Sequence, residues 1–170
     1  VAALGGFAIV LAAAGAAGAT VGGWRQILAL RTSLAACLLA VPAAVLSVGI
    51  AWAWVRLLAG VAPAAGDAEP EAFSAALAVA VVGLAPIAEE LLCRGAAWQA
   101  ATRLGPPRVA LGLTAVLFAF LHGLNGGYLL ELPHRFAAGL IFGWLRWRTG
   151  SLVPAVLAHA LHNGIALALA

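Results

Sequence analysis

The sequence predicts an all-α, polytopic membrane helix bundle of about six transmembrane helices, and three observations carry that prediction. Hydrophobic residues make up 65% of the 170 residues and charged residues only 9%, against about 45–50% and 25% in a soluble domain. A soluble fold of this size has no interior large enough to hide so much apolar surface. Apolar runs recur along the chain at lengths near the roughly 20 residues that a span requires. The basic residues, all Arg, fall singly or in pairs, mostly between those runs. Nucleic acid is therefore not an expected partner despite the formal charge of +3, whereas the lipid bilayer is.

The spans are read in order as Ala2–Gly22, Ser33–Val55, Phe73–Thr102, Val109–His122 with an extension through Tyr128, Pro133–Trp147, and Leu152–Leu169. The third is the longest, and Pro86 should bend it, because proline removes a backbone donor inside a helix. Ala59–Pro70, rich in Gly, Pro and acid, reads as a true loop. The first run lacks the basic start of a signal peptide. With no initiator Met ahead of it, an upstream piece is expected to be missing.

Charge orients the spans. Arg25 and Arg31, Arg103 and Arg108, and Arg146 and Arg148 stand at or beyond the ends of spans one, three and five. The alternate connections and the span ends beside them hold Arg56 and Arg135 together with Asp67, Glu69, Glu71 and Glu131. The positive-inside rule then starts span one outside and turns the acidic loop outward.

Three charged residues interrupt the third span, although a charge near the bilayer centre costs about 2.5–3.5 kcal/mol on insertion scales. Glu90 and Arg94 stand four apart and can pair on one face. Glu89 points about 100° away from Glu90 and has no partner on its own helix. It is the spare carboxylate, and intramembrane acids mark functional sites. His122 ends the apolar run of span four. In span six, His159 and Asn163 lie four apart and share a face, where both can donate to one reacting oxygen. His162 points elsewhere and reads as a satisfied core residue, while His134 beside Pro133 reads as interfacial or solvated. Lipid offers no partner to Glu89, His122, His159 or Asn163, so their three helices must pack together to satisfy them. Carboxylate plus imidazole suffices to activate water, and the set suits either hydrolysis within the membrane or proton and ion movement.

Absent motifs narrow the chemistry. No His-Glu-x-x-His occurs, no serine stands in a Gly-x-Ser-Gly setting, and Asp67 is the lone aspartate, which counts against zincin, rhomboid-like serine and paired-aspartate mechanisms. Cys37 and Cys93 sit in apolar runs and form neither a disulfide framework nor a metal motif. Cys93 reads as a small apolar core residue.

Glu89-Glu90-x-x-x-Arg94, Phe118-x-x-x-His122 and His159-x-x-x-Asn163, in that order, closely resemble the CPBP family of intramembrane proteases. That family takes in type II CAAX prenyl endopeptidases and bacteriocin-processing or self-immunity proteins. Phe136-x-x-Gly139-x-x-x-Gly143 and Arg148-Thr-Gly-Ser-Leu152 also look like the family's glycine-bearing helix and its exit. The likeness covers roughly residues 75–167. It implies a catalytic core over residues 73–170, with residues 1–72 adding N-terminal helices to one integrated membrane domain. By the same resemblance Glu89 activates the water with His122 beside it, His159 and Asn163 form the oxyanion site, and Glu90 and Arg94 support them. Substrates would be membrane peptides or prenylated proteins.

Members are commonly described as metalloproteases, and Glu89, His122 and His159 would satisfy a three-ligand zinc with one position open to water. Glu90 would then have to serve as base. Asparagine is an unusual zinc ligand, so Asn163 favours the metal-free reading. A proton or ion carrier and a non-catalytic immunity or scaffold protein are the alternatives. Richness in Ala and Arg without Lys suits a GC-rich genome, hence an expected bacterial plasma membrane location.

Overall fold

The computed structural model describes residues 24–59, 74–124 and 129–169, and every regular element among them is helical. The first predicted span and nearly all of the acidic loop lie outside the described residues, as does the extension toward Tyr128. The helices are α1 (Trp24–Leu28), α2 (Leu34–Leu58), α3 (Ala75–Ala101), α4 (Pro107–Leu124), α5 (Leu132–Thr149) and α6 (Val153–Leu169). Helices α2 to α6 match predicted spans two to six within a few residues at each end. Helix α1 falls in what the sequence suggests is a plain connection. Only α2 and α3 have both the length and the hydropathy of a full crossing, while Pro107–Gly123 and Val153–Leu169 are shorter apolar helices.

Local chemistry sets the boundaries. Ser33 and Ser74 cap α2 and α3, each Oγ accepting a backbone N–H three residues on at 3.1 Å, which satisfies a donor with no partner inside the helix. Pro107 and Pro133 stand in the opening turns of α4 and α5, where a missing N–H is harmless. Gly150 ends α5 at φ 66°, in the left-handed region that glycine reaches without strain.

Outward faces are apolar. Val41, Val45, Leu46, Trp52 and Val55 on α2 are exposed, as are Val116 and Phe120 on α4 and Leu157 and Leu161 on α6. Only 22% of the apolar window of α2 and 28% of that of α3 are buried inside the protein. Core helices of a soluble protein would be covered; these faces suit lipid. The inward face of α2 is a stripe of small residues, Ala40, Ala43, Ala44 and Ser47, which lets helices approach closely. It borders a core built on Cys93, Phe118, Phe142, Leu145, Ala155 and Ala158.

Glycine brings α4 and α5 together. A Cβ on Gly139 would stand 2.9 Å from the Ala115 Cα, and one on Gly143 would stand 2.8 Å from Leu111. Helix α1 seats against α3 in the same way, with Ile27 only 2.9 Å from where a Cβ on Gly95 would lie.

Helix α3 departs from ideal geometry twice, with π-helical stretches at Val79–Leu84 and Leu91–Ala97. They flank the Ala85–Glu90 turn that carries Pro86 and both carboxylates. The disturbance expected of Pro86 thus takes the form of a widened turn ahead of it, a feature that recurs at functional sites.

Two sequence expectations are corrected. His134 is only 7% exposed, so it is buried rather than solvated. Helix α5 already starts at Leu132, which carries position 134 into the packed part of the bundle. Arg146, grouped with the loop cations, is buried instead. Its guanidinium donates to the carbonyls of Arg94 at 3.0 Å, Gln26 at 3.1 Å and Gly150, tying together α1, α3 and the end of α5.

Candidate active site

The buried ion pair expected from spacing is present: Arg94 donates to Glu90 Oε1 at 2.9 Å, and both side chains are 0% exposed. Its surroundings show what makes so deep a charge tolerable. The second Arg94 nitrogen donates to the Gly139 carbonyl at 2.6 Å, and the guanidinium lies 4.7 Å from the Phe118 ring centroid. Glu90 Oε1 also accepts from His159 Nδ1 at 3.0 Å. Glu90 therefore joins the cation of its own helix to the imidazole of α6.

Glu89 faces the other way, as the 100° turn requires. Its Oε2 lies 3.6 Å from His122 Nε2 and 3.9 Å from His159 Nε2. These separations exceed a direct hydrogen bond, and Oε2 has no hydrogen-bond partner among the described residues. Three groups from α3, α4 and α6 converge around one oxygen. Glu89 and His122 are each 21% exposed, against 3% for His159, so the cluster is reached from the Glu89–His122 side.

Hydrogen bonds settle which ring nitrogens point inward. His122 Nδ1 lies 2.9 Å from the Phe118 carbonyl; a carbonyl only accepts, so Nδ1 carries the proton. His159 Nδ1 likewise donates to Glu90. Both Nε2 atoms are thereby turned to Glu89. The rings are held by aromatic contact: His159 stacks on Phe142 at 4.9 Å and 19°, and Phe118 lies 4.5 Å from His122 and 5.4 Å from His159.

Asn163 is placed differently from the triad. Its Nδ2 donates to the Val81 carbonyl, in the first π-helical stretch, at 2.9 Å. An amide nitrogen has two hydrogens, so one donor is left. His162, one residue away, is buried and shares a 2.9 Å hydrogen bond with Ser47 Oγ, as a satisfied core residue should. Cys93 is fully buried.

Sequence reasoning missed Phe142, the Gly139 carbonyl and Ser47. Phe142 carries no signal in a chain so apolar. Ser47 is the one polar residue of the small-residue stripe on α2, at i, i+3, i+4 and i+7, and that pattern is legible in the sequence.

The donor set invites a test for zinc. Among the described residues, no group of three or more His, Cys, Asp or Glu side chains is arranged to hold a metal ion. One oxygen of Glu89 faces two imidazoles at 3.6 and 3.9 Å, and the Nδ1 hydrogen bonds of both rings leave Nε2 as the ring atom through which either would ligate.

No curated protein and no solved structure gives a significant match to the chain. A family model described as type II CAAX prenyl endopeptidase Rce1-like does match, over residues 71–165. The match spans more than half of the chain and takes in α3 to α6 almost whole, with every residue of the cluster. The chain belongs to the type II CAAX prenyl endopeptidase Rce1-like family of membrane proteases.

Proposed function

We infer that this protein is a multi-pass intramembrane endopeptidase of the bacterial plasma membrane in which Glu89 activates the attacking water. The observation that carries this reading is the buried Glu89 oxygen, without a hydrogen-bond partner of its own and facing two imidazole nitrogens at 3.6 and 3.9 Å. A water held between Glu89 Oε2 and His122 Nε2 can donate to both and present its lone pair to a peptide carbonyl.

The reaction then follows from the groups in place. Glu89 takes a proton as the water oxygen bonds to the carbonyl carbon. The resulting oxyanion is met by His159 and by the free N–H of Asn163. With Nδ1–H committed to Glu90, His159 can donate through Nε2 only as the imidazolium. Before the attack the two carboxylates, Arg94 and that imidazolium sum to zero, and passing a proton from water to Glu89 as the oxyanion forms keeps that sum. Glu89 finally returns its proton to the departing amine nitrogen as the C–N bond breaks. The products are a carboxylic acid and an amine, and Glu89 is ionised again. A membrane peptide or a prenylated protein fits a cluster reached within the apolar bundle.

The test is cleavage of prenylated and unprenylated peptide pools in nanodiscs, read by mass spectrometry, with Glu89→Gln beside the parent. Gln keeps the shape and removes the base, so the rate should fall by about 10²–10⁴. Equal products from both proteins would remove Glu89 from the mechanism.

A further inference from the structure

We propose that Pro86 is a positioning residue for Asn163, acting by leaving a backbone carbonyl free for the Asn163 side chain. The proposal rests on the endopeptidase reading above, in which Asn163 supplies an oxyanion donor.

The argument begins with hydrogen-bond register. In the π-helical stretch Val79–Leu84, bonds run from residue i to i−5, and the stretch ends with the Ala85 N–H donating to the Ala80 carbonyl. The next donor in that register is residue 86, and its acceptor is the carbonyl of Val81. Residue 86 is proline and has no N–H. The Val81 carbonyl is the acceptor that Asn163 Nδ2 takes at 2.9 Å. Helix α6 lies close enough for this at the following residue too: a Cβ on Gly164 would meet Val82 at 3.7 Å.

Pro86 is buried within α3, three residues before Glu89, so the residue that frees the carbonyl and the residue that would activate water belong to one turn. One amide hydrogen anchored on Val81 fixes the plane of the Asn163 side chain, and with it the direction of the second hydrogen. An Asn free to rotate about its side-chain bonds would have to be ordered in each turnover.

Replacing Pro86 by Ala supplies a backbone N–H that competes for the Val81 carbonyl. A proline with a purely structural role would lose stability and activity together. A positioning role predicts that they separate. Pro86→Ala should hold or raise Tm, since it adds a helical hydrogen bond, while kcat for peptide cleavage in nanodiscs falls by about tenfold to a hundredfold, the scale of a misplaced catalytic group, and KM stays unchanged. Asn163→Ala should lower kcat by about 10²–10³, and adding Pro86→Ala to it should cost nothing more. Pro86→Val, close to proline in volume and also bearing an N–H, repeats the test should the Ala variant fold poorly.

Parent-level kcat in folded Pro86→Ala or Pro86→Val, or losses that multiply in the double variant, would overturn the proposal. Glu89→Gln measured alongside separates the two readings. If it is inactive while the Pro86 variants match the parent, only the positioning role fails; if it cleaves like the parent, the endopeptidase mechanism fails and takes this proposal with it.

Discussion

At the scale of single residues, Glu90 is the group that joins the Arg94 cation to the His159 imidazole. One oxygen accepts from Arg94 and from His159, and the side chain is wholly enclosed. Removing it leaves a buried guanidinium with only the Gly139 carbonyl and two aromatic faces for company. Breaking a buried pair from one side costs about 3–5 kcal/mol, because the remaining charge keeps its desolvation and loses its partner. Glu90→Ala should therefore lower the unfolding free energy in detergent by that amount. Glu89→Gln, which breaks no ion pair shorter than 3.6 Å, should leave stability near the parent's. Denaturant titration of both variants checks the contrast, and equal losses would mean that Glu89 is as structural as Glu90.

The same two residues show how far sequence alone can reach. Spacing separates their directions and pairs Glu90 with Arg94, because both facts depend only on angles within one helix. That Glu90 also holds His159, 69 positions away, depends on how α3 and α6 pack, which no local pattern encodes. His134 and Arg146 depart from expectation for a related reason. Each lies near a helix end where a polar side chain ordinarily meets water, and its burial is decided by neighbouring helices.

At the scale of elements, the contact of α4 with α5 sets the geometry around Arg94. The Gly139 carbonyl accepts from Arg94, and the same residue touches α4 through backbone. A methyl group there meets the Ala115 Cα, which has no rotamer by which to yield, so the helices must part. Gly139→Ala should cost about 1–3 kcal/mol, the usual penalty for overpacking. Gly112 on the neighbouring α4 has nothing within 4 Å of a built Cβ. Gly112→Ala should instead stabilise by up to about 1 kcal/mol through helix propensity. Thermal unfolding of the two variants in one detergent tests both signs. The Gly139-x-x-x-Gly143 spacing makes this contact visible in the sequence, since small residues four apart mark close packing. The π-helical stretches of α3 are not visible there. Pro86 signals that something must give, but whether a helix kinks or widens depends on which partner can take the released carbonyl, and here that partner is on α6.

At the scale of the whole molecule, hydrogen bonds gather the helix ends into two groups. Gln26, Gln99, Arg146 and Gly150 meet at one end, joined by bonds from Gln99 and Arg146 to the Gln26 carbonyl and from Arg146 to Gly150. Trp54 donates to the Leu130 carbonyl at 2.6 Å between the end of α2 and the segment leading into α5. The first group includes ends that the arginine distribution assigns to the inside, and the second includes ends that it assigns to the outside. Among the described residues, helix α4 is the element between exposed Leu104 and exposed Leu129. Its 18 residues make it about 27 Å long, slightly short of the roughly 30 Å of a hydrocarbon core. Its crossing, like that of the 17-residue α6, is therefore a demanding part of the topology. In a Cys37→Ser, Cys93→Ala background expressed in bacterial cells, Leu129→Cys should react with a membrane-impermeant maleimide on intact cells. Leu104→Cys should react only after the membrane is opened. Labelling of both from one side would mean that α4 does not cross, and the reverse pattern would invert the bundle. Either result would also change the side from which a substrate could reach the Glu89–His122 edge, since both residues lie on elements whose placement this experiment fixes.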